Sequence, residues 1–150
     1  MNYKKSLVIT LICILIITFL QFSTVAQNNN QGIIYEIPIK GSIDLGLAKF
    51  ISRGIQEAET SGAQAILLEI DTFGGLVKAA TEIRDDILAT ELPVIAYVKN
   101  RAWSAGALIT IASDQIFMNP GSSIGAAETR PKEEKIISAF RKEFEATAEK

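Results

Sequence analysis

The chain has 150 residues, 48% of them hydrophobic and 21% charged, with one cysteine and no histidine. These proportions exclude a disordered or low-complexity chain and fit one folded domain. A formal net charge of −2 gives no support to a nucleic-acid partner, whose phosphates demand clustered Lys and Arg.

Residues 1–26 read apart from the rest. Lys4 and Lys5 precede the apolar run Leu7 to Leu20, and Ser23-Thr24-Val25-Ala26 supplies small residues at a cleavage position. That is the layout of a secretory signal peptide. The alternative is an uncleaved membrane anchor extending through Phe22, since a full span needs roughly 20 apolar residues. Removing this segment takes the net charge from −2 to −4, because it holds two lysines and no acids. Cys13 goes with it, so the exported part has neither a disulfide nor a thiol, and Ile12 sits where a lipoprotein would need a small residue. Residues 27–32 form a short polar tether. The remainder, 33–150, is expected to fold on the extracytoplasmic side of the membrane.

From Ile33 the apolar periodicity is continuous. Ile33 to Ile39 predicts a strand, and Leu47, Phe50, Ile51, Ile55 and Ala58 share one helical face. Ser61-Gly62 closes that helix. Ala65 to Ile70 is an unbroken apolar run, which predicts a strand buried on both sides. Leu76, Ala80, Ile83 and Ile87 then give a second helical stripe, ended by Pro93. Val94 to Val98 predicts a third strand, Ser104 to Ala112 a helix of small residues, Gln115 to Met118 a fourth strand, and Asn119 to Arg130 a loop. Strands alternating with helices imply an α/β fold of repeated βα units with a parallel sheet and right-handed crossovers. The last helix, Glu133 to Glu149, carries Ile136, Ile137, Phe140, Phe144 and Ala148 on one side. No capping signal ends it, which predicts a sequence truncated at its C-terminus.

Functional groups of parallel strands gather at the carboxyl ends. Asp71-Thr72-Phe73-Gly74-Gly75 and Trp103-Ser104-Ala105-Gly106 both lie there. The glycine pair allows a sharp turn with unobstructed N–H groups, as an oxyanion hole requires. It also fits an ordinary tight turn. Ser104 begins a helix whose partial positive charge favours a developing oxyanion, and the N–H of Ala105 could join that of Gly74 or Gly75. The plainer role for Ser104 is a helix N-cap. Gly121-Ser122-Ser123-Ile124-Gly125 matches the hydrolase elbow pattern, but that motif needs a following helix and a later histidine. Ser122 and Ser123 are instead read as shaping a substrate cleft, with Phe73 as a further substrate contact.

If Ser104 is a nucleophile, a chain without histidine needs another base, and a neutral lysine is the available substitute. Lys132, Lys135 and Lys142 follow Ser104. Lys135 is preferred, since it falls in the first turn of the last helix, where the dipole and burial both favour the neutral amine. Bringing a lysine from about 10.4 to near 7.5 takes roughly 4 kcal/mol, so real desolvation is required. With no histidine, no exported cysteine and no phosphate-binding glycine fingerprint after the first strand, no metal or cofactor is expected.

Taken together, these residues resemble the membrane-bound serine proteases of the NfeD family, which share the fold of ClpP and the crotonases. Asp71-Thr72-Phe73-Gly74-Gly75 is similar to that family's Asp-Thr-Pro-Gly-Gly loop, departing from it at Phe73. Trp103-Ser104-Ala105-Gly106 resembles its nucleophile turn, and Met118 to Ala126 is similar to the family-specific segment after it. The resemblance implies a Ser-Lys dyad of Ser104 and Lys135, with the glycine loop as oxyanion hole. It further implies homo-oligomers at a membrane and a stomatin-like membrane protein as substrate or partner. Family members continue with more α/β structure, membrane spans and a small β-barrel. The leading expectation is a membrane-associated endopeptidase cleaving apolar segments of a peptide or protein. An inactive scaffold binding a stomatin-like partner, and a crotonase-type acyl-CoA enzyme, are the alternatives. The latter fits poorly with export, and no obvious carboxylate base flanks the glycine loop.

Overall fold

A computed structural model describes Tyr3 and residues 32–127 and 133–149. The expected signal peptide and, apart from Gly32, the tether lie outside the described residues, as does Lys132. The sheet and the helices packed on it belong to the unit Gly32–Lys150.

Among the described residues of this unit, five strands and four helices succeed one another as β1 (Ile34–Ile43), α1 (Leu45–Thr60), β2 (Ala65–Gly75), α2 (Val77–Ala89), β3 (Val94–Trp103), α3 (Ala105–Ala112), β4 (Gln115–Met118), β5 (Ser123–Gly125) and α4 (Glu134–Ala148). Every strand pairing is parallel, in the order β1-β2-β3-β4, with β5 also on β3. This is the α/β, parallel-sheet architecture that the alternating pattern predicts. β4 pairs along Ile95–Val98 and β5 along Arg101–Trp103, so the two short strands share one edge of β3.

A strand order equal to chain order, with crossovers of one hand, sends successive helices to the same face of the sheet. Ile66, Leu68, Ile70 and Thr72 of β2 and Val94, Ala96, Val98 and Ala102 of β3 point to that face and are buried. They meet Ala48, Ile51, Ile55 and Ala58 of α1, Ala79, Ala80, Ile83 and Ile87 of α2, and Leu108 and Ile109 of α3. Each fully buried Ile or Leu contributes about 1.5–3 kcal/mol of transfer free energy. On the opposite face Leu67, Ile95 and Tyr97 are only half-buried. The expectation that β2 is buried on both sides is therefore corrected: among the described residues of this unit, its apolar run has helices on one side only. Further along that open face Glu69 bridges Lys40 (2.6 Å) and Lys99 (3.5 Å). The hydrogen bond from Lys40 holds the Glu69 carboxyl below its ordinary range and raises the Lys40 ammonium above its own.

Asp44 caps α1 by accepting from Leu47 N–H at 2.8 Å, and Ser61 closes it, with Gly62 at φ 72° continuing into the turn. Four stripe assignments shift. Phe50 is 42% exposed and Leu76, at the α2 N-cap, 54% exposed, while Ala48 and Ala79 take the buried positions. In the last helix Ile137 and Ala148 are exposed and Thr147 is buried instead. At the end of the chain, α4 packs through buried Phe140, which meets Phe144 edge to face at 5.0 Å, and through an Arg84–Glu143 ion pair at 2.7 Å to α2.

Candidate active site

The three strands that carry the site run beyond their apolar cores to Ile43, Gly75 and Trp103, and the extensions are irregular. Between β1 and β2 the register passes from Lys40↔Asp71 to Ser42↔Gly74, so β2 holds one extra residue. Between β2 and β3 it passes from Ile70↔Val98 to Thr72↔Ala102, so β3 holds two. Bulges of this kind bend a strand and re-aim its side chains. Here they lie just before the two turns that converge.

Ser104 sits between β3 and α3 at φ 53°, ψ −116°, a backbone region costly for any residue but glycine. Its backbone is clamped: Ser104 N–H donates to Gly125 O of β5 at 2.7 Å, and Ser104 O accepts from Ala107 N–H at 3.0 Å. Its hydroxyl makes no capping bond to α3. The plainer N-cap role is thus not what this side chain does. The half-buried hydroxyl is held at the mouth of a helix whose first residues, Ala105, Gly106 and Ala107, are small and buried.

Gly74 and Gly75 lie against this turn for two different reasons. Gly74 has φ 102°, and a Cβ there would stand 2.8 Å from Ser104 Cβ, 2.8 Å from Trp103 O and 3.2 Å from Ala105 N. A Cβ on Gly75 would strike Ile43 O at 2.1 Å, so the second glycine lets β2 close on β1. Their N–H groups also differ. Gly74 N–H donates to Thr72 Oγ1 at 2.9 Å. Leu76 N–H donates to Ile43 O at 2.8 Å, and Gly75 is paired with Ile43.

An aromatic and charged cluster flanks the turn. Phe73, 65% exposed, and Trp103, 37% exposed, meet edge to face with centroids 5.5 Å apart. The Arg101 guanidinium lies 4.4 Å from the Phe73 ring centroid and 3.5 Å from Asp71 Oδ1, while Asn100 Nδ2 donates to Asp71 Oδ2 at 2.6 Å. Trp103 Nε1 donates to Ser123 Oγ at 2.8 Å, which ties β5 to the cluster. Leu76 and Ile124 add exposed apolar surface nearby in the chain.

The structure therefore brings Phe73, Gly74, Gly75, Ser104, Ala105 and Ser123 to one end of the sheet. Ser122 Oγ has no hydrogen-bond partner among the described residues, and its N–H donates to Asn119 O at 2.9 Å. The Gly121–Gly125 pattern lacks the elbow's strand-to-helix setting, because Ser123–Gly125 is itself a strand. Lys135 lies in the first turn of α4 and is exposed, contrary to the burial expected there, and no hydrogen bond or ion pair joins it to another described residue. Sequence reasoning assigns no part to Thr72, Arg101 or Gly125. Only Thr72 leaves a signal, since it continues the buried alternation Ile66, Leu68, Ile70. No group of three or more His, Cys, Asp or Glu able to hold a metal exists among the described residues, and none of their helices is long and apolar enough to cross a membrane.

Comparison with known proteins bears on this geometry. The model of the family described as "NfeD1b, N-terminal domain" matches residues 33–150. The chain is 48% identical over 94 residues to membrane protein NfeD1b of Bacillus subtilis (strain 168), covering 63% of this chain and 22% of that protein. It is 38% identical over 119 residues to membrane-bound protease PH1510 of Pyrococcus horikoshii, covering 77% of this chain and 26% of the relative. It thus spans about a quarter of the length of these curated relatives. Among solved structures it is similar to a serine-to-alanine mutant of the 1510-N membrane-bound stomatin-specific protease, with TM-score 0.72 and 33% identity over 79% of this chain and 63% of that one. A lysine-to-alanine mutant of that protease in complex with a substrate peptide superposes with TM-score 0.71 at 33% identity, over 79% of this chain and 60% of the other.

Proposed function

The chain belongs to the NfeD1b N-terminal-domain family, and on that premise we propose that it is the peptidase part of a membrane-associated serine endopeptidase acting outside the cytoplasm. The observation that carries the reading is Ser104: a serine at φ 53° with its hydroxyl unspent on the helix that it precedes. Strain of this kind is kept where a side chain must be aimed.

In the proposed reaction Ser104 Oγ attacks a peptide carbonyl carbon, and the neutral amine of Lys135 takes the hydroxyl proton. The carbonyl oxygen becomes an oxyanion held by Ala105 N–H and by the glycine turn, where Gly75 N–H is the better placed because Gly74 N–H already serves Thr72. Lys135 returns the proton to the leaving amine as the C–N bond breaks, and water then releases the acyl group from Ser104. Phe73 and Trp103, in contact next to the serine turn, together with the exposed Leu76 after Gly75 and Ile124 after Ser123, offer apolar surface, which supports apolar segments as substrate. A stomatin-like membrane protein is the substrate class proposed, by analogy with the stomatin-specific relative. Lys135 must lose solvent to act as base, so its exposure favours a second reading: a homo-oligomeric scaffold that binds the same partner without cleaving it.

The test is labelling of the purified full chain with a fluorophosphonate, followed by peptide mapping. Label on Ser104 that disappears in Ser104→Ala, together with cleavage of an apolar peptide that is lost in the same variant, supports the peptidase. A folded chain that neither labels nor cleaves, yet still binds the stomatin-like protein, supports the scaffold.

A further inference from the structure

We infer that Thr72 is a positioning residue for the oxyanion-binding turn, acting through the Gly74 peptide; this rests on the peptidase reading above. Thr72 is 1% exposed and lies on the helix-facing side of β2 at the level where both ladders lose register. Its Oγ1 donates to Gly41 O at 2.6 Å and accepts from Gly74 N–H at 2.9 Å. The single hydroxyl thus replaces the ladder bonds that the bulge removes, spending its one donor and one of its two acceptor sites. Its methyl does separate work. Cγ2 would lie 2.5 Å from a Cβ on Gly106, so it fills the space above the first turn of α3, directly after Ser104.

These contacts fix what the turn presents. With Gly74 N–H turned inward to Thr72, Gly75 N–H is left as the turn's donor in the proposed reaction, and a Cβ on Gly74 would meet Ser104 Cβ and Ala105 N. Without the hydroxyl, Gly74 N–H loses its partner in a buried place, while Gly41, which is exposed, can turn its carbonyl to water. A buried amide does not stay unpaired when it can rotate, and a glycine–glycine segment can rotate at little steric cost. The turn then relaxes and its donor leaves the position where oxyanion charge develops. Thr72 touches no substrate, and its effect is confined to the step in which that charge appears.

Three variants separate the two halves of the side chain. Thr72→Val keeps the shape and removes the hydroxyl, Thr72→Ser keeps the hydroxyl and removes the methyl, and Thr72→Ala removes both. Cleavage of an apolar peptide by the full chain should show kcat at least tenfold lower in Thr72→Val, with KM within twofold of the parent. Thr72→Ser should stay within about threefold of the parent in kcat, and the pH profile should be unmoved in both, since the base is not touched. Amide hydrogen exchange gives a readout independent of turnover. The Gly74 amide should exchange at least tenfold faster in Thr72→Val and Thr72→Ala than in the parent and Thr72→Ser. Equal Gly74 exchange in Thr72→Val and the parent would overturn the inference, as would equal kcat in the two where Ser104→Ala is dead. If the parent itself proves inactive, the peptidase reading fails, whereas the exchange comparison still decides whether Thr72 holds the turn.

Discussion

Replacing Gly74 by alanine tests whether the glycine turn and Ser104 form one mechanical unit. The added Cβ would lie 2.8 Å from Ser104 Cβ and from Trp103 O, and 3.2 Å from Ala105 N, in a backbone at φ 102°. Two penalties act. A left-handed conformation costs a residue with Cβ about 1–2 kcal/mol, and overlap with neighbours in a packed site costs about 1–3 kcal/mol more. Two of the obstructing atoms are backbone, so no rotamer change relieves them. Gly41 supplies the control, with φ 77° and nothing within 4 Å of its Cβ position. Only the conformational penalty acts there. Gly74→Ala should therefore lower unfolding stability by about 2–5 kcal/mol, against about 1–2 for Gly41→Ala. Urea denaturation followed by far-ultraviolet circular dichroism measures both. That probe is preferable to fluorescence, because the single tryptophan, Trp103, stands beside the mutated turn. Equal losses in the two variants would refute the claim that Gly74 is packed against the serine.

The remaining predictions concern the serine, the lysine and the open sheet face. An N-cap serine loses about 1 kcal/mol on mutation to alanine; with its hydroxyl uncapping, Ser104→Ala should cost less than ~0.5 kcal/mol, and Ser104→Gly, freed of strain at φ 53°, should be up to ~1 kcal/mol more stable than the parent. Thermal or urea melts decide between them, and a full capping loss in Ser104→Ala would count against the geometry. Lys135→Arg keeps the charge but cannot be neutral near pH 7, so it should be as inactive as Lys135→Ala in peptide cleavage, with stability changed by less than ~0.5 kcal/mol because the side chain is exposed; full activity in Lys135→Arg would remove it from the dyad. Glu69, depressed chiefly by its hydrogen bond to Lys40, binds fewer protons folded than unfolded as acid is added. Its contribution is present above the ordinary carboxylate value of 4.5 and fades as pH falls through the lower folded value. The stability gap between the parent and Glu69→Gln should accordingly narrow below about pH 4.5 in urea melts, and a gap that widened with acid would reverse the assignment.

The parts of the fold legible in the sequence are those where burial dictates residue type. Gln115–Met118 is found as predicted, and the stripe Ala80, Ile83, Ile87 identifies the buried side of α2. Strand ends are harder to read because Lys40, Gly41, Asp71, Lys99 and Asn100 interrupt the apolar runs, yet backbone pairing continues through or around them. β5 has only Ser123, Ile124 and Gly125, too few residues for any period to register. Hydrophobicity also cannot tell that, among the described residues, the helices lie on one side of β2, since that comes from the hand of the crossovers rather than from the run Ala65–Ile70 itself. At the site, the glycine pair and Ser104 are visible as breaks after strands. The bond from Gly74 N–H to Thr72 Oγ1 is not, because a hydroxyl replacing ladder bonds at a bulge leaves no pattern in sequence.

The unequal bulges have a consequence for how this chain tolerates changes in length. One surplus residue in β2 and two in β3 set how far each strand travels before its turn, at about 3.3 Å per residue. Serine and glycines meet because of the offset between those two counts, in the manner of a vernier scale. One residue added within Lys99–Arg101 would carry Ser104 a full step past Gly74, even if every contact in the core survived. Residues added at Ser61–Gly62, at the far end of the sheet, would lengthen only a solvent-facing connection. Spacing within the strands is thus as much a functional parameter of this chain as the identity of the residues that they deliver.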